Sequence, residues 1–230
     1  MRRNTFFFIM ALLTGSAIAV SGQSDALIVQ RILERCGMRD ISVEEVTEME
    51  DGRVVKLDLS NNDVAKDGIT LIPDEIGKLT ALREFVCTDN SIEEVPSEIG
   101  RCVNLRKLDL GSNRIGLLPN EIGQLRQLEK LDLRHNRLTA LPPELANCKN
   151  IEYLWLWGNK LTDIKPVAHL TNLQELYLKD NRLTMLPPSI MRIKFRYIDF
   201  LGNRLCNLPS RVDNWVKTID NRYRATQRCQ

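Results

Sequence analysis

The sequence has 230 residues, 43% of them hydrophobic and 27% charged, which is enough chain to bury the core of one globular domain. Its 32 lysines and arginines nearly balance its 30 aspartates and glutamates, and no stretch concentrates the basic residues. This balance argues against a nucleic-acid-binding protein, so we predict no nucleic-acid partner.

The chain begins with MRRNTFFFIMALLTGSAIAV, in which two arginines precede an apolar run and small residues follow it. This pattern is typical of a secretory signal peptide, and we predict one over residues 1–22, cut between residues 19 and 22. An uncleaved anchor is the alternative, but the run is short for ~30 Å of hydrocarbon. We therefore predict a secreted protein, extracellular or periplasmic, with no stable membrane span after cleavage.

Residues 23–53 precede the regular part of the sequence and are predicted to form an N-terminal cap. Ser24 or Asp25 can begin a helix in SDALIVQRILERCG, whose apolar residues share one face, and Gly37 can end it. The stretch ISVEEVTEMEDGRVVKLDL then predicts a hairpin that turns at Asp51 and Gly52.

Residues 54–209 contain seven nine-residue segments, each of which begins with an apolar residue, carries two more at its fourth and sixth places, and ends in asparagine. Their starts are 28, 23, 23, 23, 22 and 22 residues apart, at Val54, Leu82, Leu105, Leu128, Ile151, Leu173 and Phe195. The alternation of apolar and polar places predicts a strand in each segment. One unit cannot bury its apolar side alone, so the units are expected to stack as a solenoid with parallel strands.

The closing asparagines stand where the chain leaves each predicted strand. A buried amide at that place needs backbone partners, which adjacent coils can supply. We therefore assign a structural role, not a catalytic one, to Asn62, Asn90, Asn113, Asn136, Asn159, Asn181 and Asn203.

The period, the apolar spacing and back segments such as LPNEIG resemble the leucine-rich repeat of extracellular, secreted proteins, in a mixture of 22- and 23-residue types. The resemblance implies an α/β repeat solenoid, a horseshoe with seven parallel strands on its concave face. It also implies terminal caps, here the helix and hairpin of residues 23–53 and a helical cap over residues 210–230. In that helix Val212, Trp215, Val216 and Ile219 fall on one face.

The six cysteines differ in their positions within the repeats. Cys87, Cys102 and Cys148 take places that apolar core residues occupy in other repeats, and we predict them to be buried. Cys206 and Cys229 flank the closing helix, and we predict a disulfide between them. No pair has the spacing of a zinc site, so neither a metal nor a cofactor is predicted.

Catalysis is the weakest hypothesis. The two histidines, His135 on the concave face and His169 on the convex back, cannot share a site. Asp109 and Asp132 stand on adjacent strands as a possible carboxylate pair, but we expect flanking lysines and open solvent to keep both pKa values from rising. We therefore predict that the protein is not an enzyme.

The outward places of the last three repeats are rich in aromatic residues. Those of the first four repeats carry lysines and aspartates in neighbouring columns, whose opposite charges offset one another. Tryptophan and tyrosine often anchor protein interfaces, so we predict a non-catalytic binding module that recognises a protein partner through its concave face. The predicted patch consists of Tyr153, Trp155, Trp157, Tyr177, Tyr197 and Leu201, with a polar rim of Asp132, Arg134, His135, Lys179 and Asp180.

Two alternatives use the same aromatic side chains. They can stack on the sugars of an extracellular glycan, which makes carbohydrate binding a second hypothesis. They can also strengthen the sheet or be covered by another copy of the chain, which would make the protein a structural or self-associating repeat protein.

Overall fold

The computed structural model describes residues 24–60, 68–219 and 226–229. The predicted signal peptide and Asn62 lie outside these ranges. The strands and α-helices, in chain order, are α1 (Asp25–Arg35), α2 (Val43–Val46), β1 (Thr47–Glu50), β2 (Arg53–Asp58), β3 (Glu84–Val86), β4 (Lys107–Asp109), β5 (Lys130–Asp132), β6 (Tyr153–Trp155), β7 (Glu175–Tyr177), β8 (Tyr197–Asp199) and α3 (Ser210–Ile219).

The eight strands form one sheet in sequence order. β1 pairs antiparallel with β2, and β2 to β8 are all parallel, which confirms the seven predicted parallel strands. The register repeats from coil to coil, so that Lys107 stands opposite Lys130 and Asp109 opposite Asp132. Each outward place of the repeat therefore forms a column across the concave face.

The core runs along the middle of the solenoid. The first, fourth and sixth places of the third segment, Leu105, Leu108 and Leu110, are each 0% exposed, and these places are buried in the other segments except at Phe195, which is half-buried. Burial of one such side chain stabilises the fold by about 1.5–3 kcal/mol. The three cysteines predicted in the core are also buried.

The asparagine amides connect each coil to the one before it. Asn136 Nδ2 donates to the carbonyl oxygens of Leu110 at 2.9 Å and Leu133 at 3.2 Å, and its Oδ1 accepts from the Ile115 N–H at 2.9 Å. Five other asparagines make the same two kinds of hydrogen bond, in which Nδ2 donates to a backbone carbonyl of the preceding coil and Oδ1 accepts from a backbone N–H of that coil. They are Asn90, Asn113, Asn159, Asn181 and Asn203. Each amide satisfies backbone groups that the solenoid shields from water.

The backs of the coils are short 3-10 helices, as expected where proline interrupts longer helices. They span Asp74–Lys78, Ser97–Arg101, Asn120–Gln124, Pro143–Asn147, Lys165–His169 and Pro188–Arg192. The 3-10 helices of adjacent coils lie so close together that one position in the helix requires glycine. A Cβ on Gly123 would lie 2.5 Å from the Glu144 carbonyl oxygen of the next coil. Gly77 and Gly100 meet the next coil in the same way.

The N-terminal elements lie against the first coil. Ser24 is the N-cap of α1, while the buried Asp25 carboxylate accepts from the Val54 N–H at 2.9 Å. The hairpin turns at Asp51 and Gly52, whose φ angles of 49° and 73° place both in the left-handed region. A two-residue turn of this kind matches the twist of a hairpin, and it lies where the sequence predicted it.

The C-terminal helix α3 closes the other end. Val212 and Val216 are buried, and the Trp215 ring meets Phe200 edge-on at 6.1 Å between centroids. Ile219, in the last turn of the same face, is 40% exposed, so that face is covered only in part.

The disulfide predicted between Cys206 and Cys229 is present, with Cα atoms 5.9 Å apart. It ties the segment after α3 to the last coil. There the Arg228 N–H donates to the Asn203 carbonyl oxygen at 2.6 Å.

Gln227 in this segment takes the position of a further asparagine in the series. Its Oε1 accepts from the Leu205 N–H at 3.0 Å, and its Nε2 donates to the Phe200 carbonyl oxygen at 3.4 Å. Leu205 lies two residues after Asn203, and Phe200 lies three residues before it. Asn203 contacts residues at the same two offsets from Asn181 in the preceding coil. Gln227 therefore completes the amide series at the last coil.

We expect Gln227→Ala to lower the free energy of unfolding by about 1–2 kcal/mol, because backbone groups of the last coil lose their partners. Chemical denaturation measures this change. Gln30→Ala, on the exposed side of α1, is the control and should change the free energy of unfolding by less than about 0.5 kcal/mol. Equal stability of the Gln227 variant and the unmodified protein would show that the amide series ends at Asn203.

Candidate functional site

The predicted aromatic residues lie in neighbouring columns of the concave face. Trp155 stands between Asp132 on β5 and Tyr177 on β7, in the column of the fifth places. Tyr153 and Tyr197 occupy the column of the third places, on either side of β7. The sheet therefore brings these four rings together, as the spacing of the segments predicted.

Tyr153, Trp155, Tyr177 and Tyr197 form a continuous series of ring contacts, which we call the aromatic row. The centroids of Tyr153 and Trp155 are 5.8 Å apart with planes at 12°. Trp155 and Tyr177 follow at 6.2 Å and 20°, and Tyr177 and Tyr197 at 4.8 Å and 34°. The rings restrict one another, so they lose little side-chain entropy when a partner binds.

Trp157 belongs to a separate contact. Its ring meets the His135 imidazole at 4.0 Å between centroids, at an angle of 69°. Gly158 makes room for this pair, since a Cβ there would lie 2.7 Å from His135 Nδ1. The patch predicted as continuous is thus an aromatic row and a neighbouring ring pair, while Leu201 is half-buried in the same column as Trp157.

Polar groups fix both the start and the middle of the aromatic row. Lys130 Nζ lies 5.5 Å from the centroid of Tyr153, a distance suited to a cation–π interaction. The Tyr177 hydroxyl donates to Glu175 Oε2 at 3.1 Å. Burial, with this hydrogen bond and the Glu175 charge, raises the pKa of the Tyr177 phenol.

The rim contains two ion pairs. Arg134 Nη1 lies 3.1 Å from Asp132 Oδ2, and Gly111 lets the arginine side chain fold across the sheet. Arg228, from the disulfide-linked segment, reaches Asp180 Oδ1 at 2.6 Å. The predicted rim did not include Arg228, because only the fold of the C-terminal segment brings it to this face. Lys179 is exposed beside the rings.

Asp132 is 6% exposed, although it occupies an outward place. Burial raises its pKa to about 6, the charge of Asp109 adds to the rise, and the N–H and guanidinium of Arg134 oppose it. The expectation that lysines and open solvent would prevent such a rise is therefore wrong for Asp132. Its neighbours shield the carboxylate more than the strand pattern indicates.

We expect Asp132→Asn to stabilise the protein by about 1–3 kcal/mol at pH 7 and to have little effect at pH 4. With a raised pKa in the fold, the unmodified protein loses stability as pH rises from about 4, where the unfolded carboxyl ionises, to about 6. Asparagine removes this loss and can still accept from the Arg134 N–H. Denaturant titrations at both pH values measure the difference, and an equal effect at pH 4 and pH 7 would refute it.

The structure places the remaining candidate groups apart. His169 lies in the back helix Lys165–His169, and His135 contacts Trp157 on the concave side. Within the three described ranges, no cluster of histidine, cysteine, aspartate and glutamate is arranged to hold a metal ion. None of the helices in those ranges has the length and hydrophobicity of a membrane crossing.

Comparison with protein families gives three matches in the repeat region. Models described as leucine-rich repeats match residues 80–138, 126–169 and 172–193. A comparison with curated proteins finds no match.

Among solved structures, the chain is similar to a plant ice-binding protein, with 25% identity, a TM-score of 0.69, and coverage of 80% of this chain and 64% of the other. The ectodomain of the Arabidopsis thaliana receptor kinase GASSHO1/SCHENGEN3, in complex with CASPARIAN STRIP INTEGRITY FACTOR 2, gives 31% identity, a TM-score of 0.56 and coverage of 60% and 17%. The ectodomain of the Arabidopsis thaliana receptor kinase SOBIR1 gives 25% identity, a TM-score of 0.54, and coverage of 81% of this chain and 97% of the other. The chain therefore spans less than two thirds of the first two proteins.

Proposed function

The chain is a leucine-rich-repeat protein, and on this premise we propose that it is a non-catalytic binding module whose concave face recognises a protein partner. The contact surface is centred on the aromatic row of β6 to β8 and on the neighbouring pair of Trp157 and His135. The observation that carries this proposal is a series of mutually stacked rings on the solvent side of the sheet.

Exposed aromatic side chains are unusual on the surface of a solitary soluble protein, and tryptophan and tyrosine dominate binding hot spots. In the row, Trp155 and Tyr177 are half-buried and Tyr197 is 47% exposed, so a partner can still cover substantial apolar area. Because the rings hold one another, that area is available without extensive rearrangement.

The structural neighbours support a protein partner by analogy. The GASSHO1/SCHENGEN3 ectodomain was solved in complex with a named protein factor. This chain covers 17% of that ectodomain, so the likeness concerns the repeat scaffold and not the particular partner.

We also propose that the protein acts outside the cell. The signal-peptide pattern of residues 1–22 and the disulfide between Cys206 and Cys229 both fit an oxidising, extracytoplasmic compartment.

The ring geometry favours a protein partner over a glycan. Sugars stack on open ring faces, whereas Trp155 lies between Tyr153 and Tyr177, with stacked contacts on both sides. Lys130 also lies over the Tyr153 ring. These contacts leave fewer ring faces free for a sugar, which favours a protein partner.

Affinity capture tests this function. The protein, immobilised through its C-terminus, is incubated with native extracellular material, and each captured protein is purified and tested by calorimetry. The proposal expects direct, saturable binding of a protein other than the chain itself. Capture of only further copies of the chain would support self-association, and signals confined to a glycan array would support carbohydrate binding.

A further inference from the structure

We propose that the flank of the solenoid just after the concave strands is a second binding surface, which binds a linear anionic polysaccharide through a row of cations. This inference goes beyond the proposed function, because the flank lies outside the aromatic row and does not depend on it. It rests on the residue that follows the closing asparagine in each of five successive coils. These residues, which we call the basic column, are Arg114, Arg137, Lys160, Arg182 and Arg204.

Backbone hydrogen bonds place the basic column in one line. The Arg137 N–H donates to the Ile115 carbonyl oxygen at 2.9 Å, and the Lys160 N–H donates to the Leu138 carbonyl oxygen at 2.9 Å. The other three members make the same bond to the coil before them. Neighbouring members therefore stand about one strand separation apart, and the five cations extend over about 19 Å. They are 22 or 23 residues apart in the sequence, so only the stacking of the coils brings them together.

The side chains of the basic column point to solvent. The residue after each member is buried, as Ile115 and Leu138 are, and successive side chains of an extended segment point to opposite sides. All five members are exposed. Within the described part of the chain, none of them forms an ion pair or a side-chain hydrogen bond. Their charges are therefore available to a ligand.

Nearby carboxylates do not cancel the charge of the last four members of the column. Within four residues of these members along the chain, the sequence has two carboxylates, Asp163 and Asp180. Asp163 already pairs with Lys165 at 2.8 Å, and Asp180 pairs with Arg228 at 2.6 Å. Because each of these pairs is neutral as a whole, the four positive charges of the column remain unbalanced.

Unpaired acidic residues border the basic column at one end. The coil of Asn90 carries Asp89, Glu93 and Glu94, and the column member next to that coil is Arg114. Arg137 stands two strand separations from the same coil, about 10 Å, which is one Debye length at 0.1 M salt. The positive surface therefore covers the four coils from Arg137 onward, and charge complementarity there favours an anionic ligand.

The side chains next to the basic column are small or polar. Two places further along each coil is a second outward column, which consists of Gly116, Thr139, Thr162, Thr184 and Cys206. The three threonines are exposed, and their hydroxyls can donate to sulfate or carboxylate and also accept from sugar hydroxyls. Neither column has an aromatic or large apolar side chain of the kind that anchors a protein partner or stacks on nucleic-acid bases. This composition favours a polysaccharide.

The spacing of the cations also suits a polysaccharide. A linear chain of six-membered sugar rings advances by close to one strand separation per ring, so anionic groups on successive sugars can face successive cations. In an extended peptide, by contrast, acidic side chains on one face are about 7 Å apart and fall out of step with the column.

Calorimetry with a heparin octasaccharide, which is sulfated, and with a galacturonate octasaccharide, which carries only carboxylates, tests the inference. We expect saturable binding that weakens as salt rises. Binding of heparin alone would assign the surface to sulfated chains, and binding of both would assign it to sugar anions in general. Arg137→Glu/Arg182→Glu should weaken the binding on the order of tenfold or more.

Arg101→Glu/Arg126→Glu is the matched control. It makes the same change in net charge at two exposed arginines, one at the end of a back helix and one just after the next back helix. This variant should bind the octasaccharides as the unmodified protein does. Circular dichroism confirms that both variants are folded.

The outcomes separate this inference from the proposed function. Trp155→Ala/Trp157→Ala should retain the binding of the octasaccharides, since the aromatic row is not part of the flank. Equal binding by Arg137→Glu/Arg182→Glu and the unmodified protein would overturn the assignment of the site. Binding of neither octasaccharide, or tighter binding of an oligoglutamate of equal charge, would overturn the polysaccharide chemistry.

Discussion

Replacing both Trp155 and Trp157 with alanine is expected to weaken binding of the captured protein at least about 100-fold while the fold remains intact. Truncation of a buried interface tryptophan commonly costs about 2 kcal/mol or more. The substitution at Trp155 also separates Tyr153 from Tyr177, and the one at Trp157 removes the ring that positions His135. Calorimetry measures the affinity, and circular dichroism with denaturation confirms folding.

The convex back offers a matched control. Leu117 and Met185 are apolar and more exposed than the tryptophans, at 62% and 55%. A Leu117→Ala/Met185→Ala variant should bind as the unmodified protein does. Loss of binding in this variant, with retention in the tryptophan variant, would move the interface to the back of the solenoid.

Asn136→Ala is expected to lower the free energy of unfolding by about 2–4 kcal/mol, a large part of the stability of a typical domain. The substitution leaves the Ile115 N–H and the carbonyl oxygens of Leu110 and Leu133 without their amide partner in a region closed to water. It also removes a contact that joins the third and fourth coils. Under conditions where the variant is folded, its affinity for the partner should be unchanged, since Asn136 is buried.

Asn120→Ala is the control for this substitution. Asn120 is an exposed residue at the start of the 3-10 helix of the preceding repeat, so its replacement should change the unfolding free energy by less than about 0.5 kcal/mol. Unfolding of Asn136→Ala and Asn120→Ala at the same denaturant concentration would mean that the asparagine series does not stabilise the solenoid.

The sequence predicted the solenoid well because each coil contacts mainly its neighbours. The inward place of Leu108 and the amide place of Asn136 recur at a fixed spacing, and their role in one coil indicates their role in the next. The strand register follows, and with it the columns that bring Trp155 beside Tyr177.

Features that depend on contacts between unlike side chains were not predictable from the repeat. Gln227 has a different residue type and spacing from the asparagines, and its position depends on the fold of the C-terminal segment. The contact of Trp157 with His135 depends on a glycine at residue 158. The raised pKa of Asp132 depends on burial by neighbouring strands, which the alternation within one strand does not reveal.

Oxidative footprinting of the complex with the captured protein tests the concave binding surface most directly. The chain contains its own reference, because Trp215 lies on α3, packs against Phe200 and is not a member of the aromatic row. We expect the partner to lower the oxidation of Trp155, Trp157 and Tyr177 severalfold and to leave that of Trp215 unchanged. Unchanged oxidation of the concave rings, with protection of Met185 on the convex back, would contradict the assignment of the concave face as the binding surface.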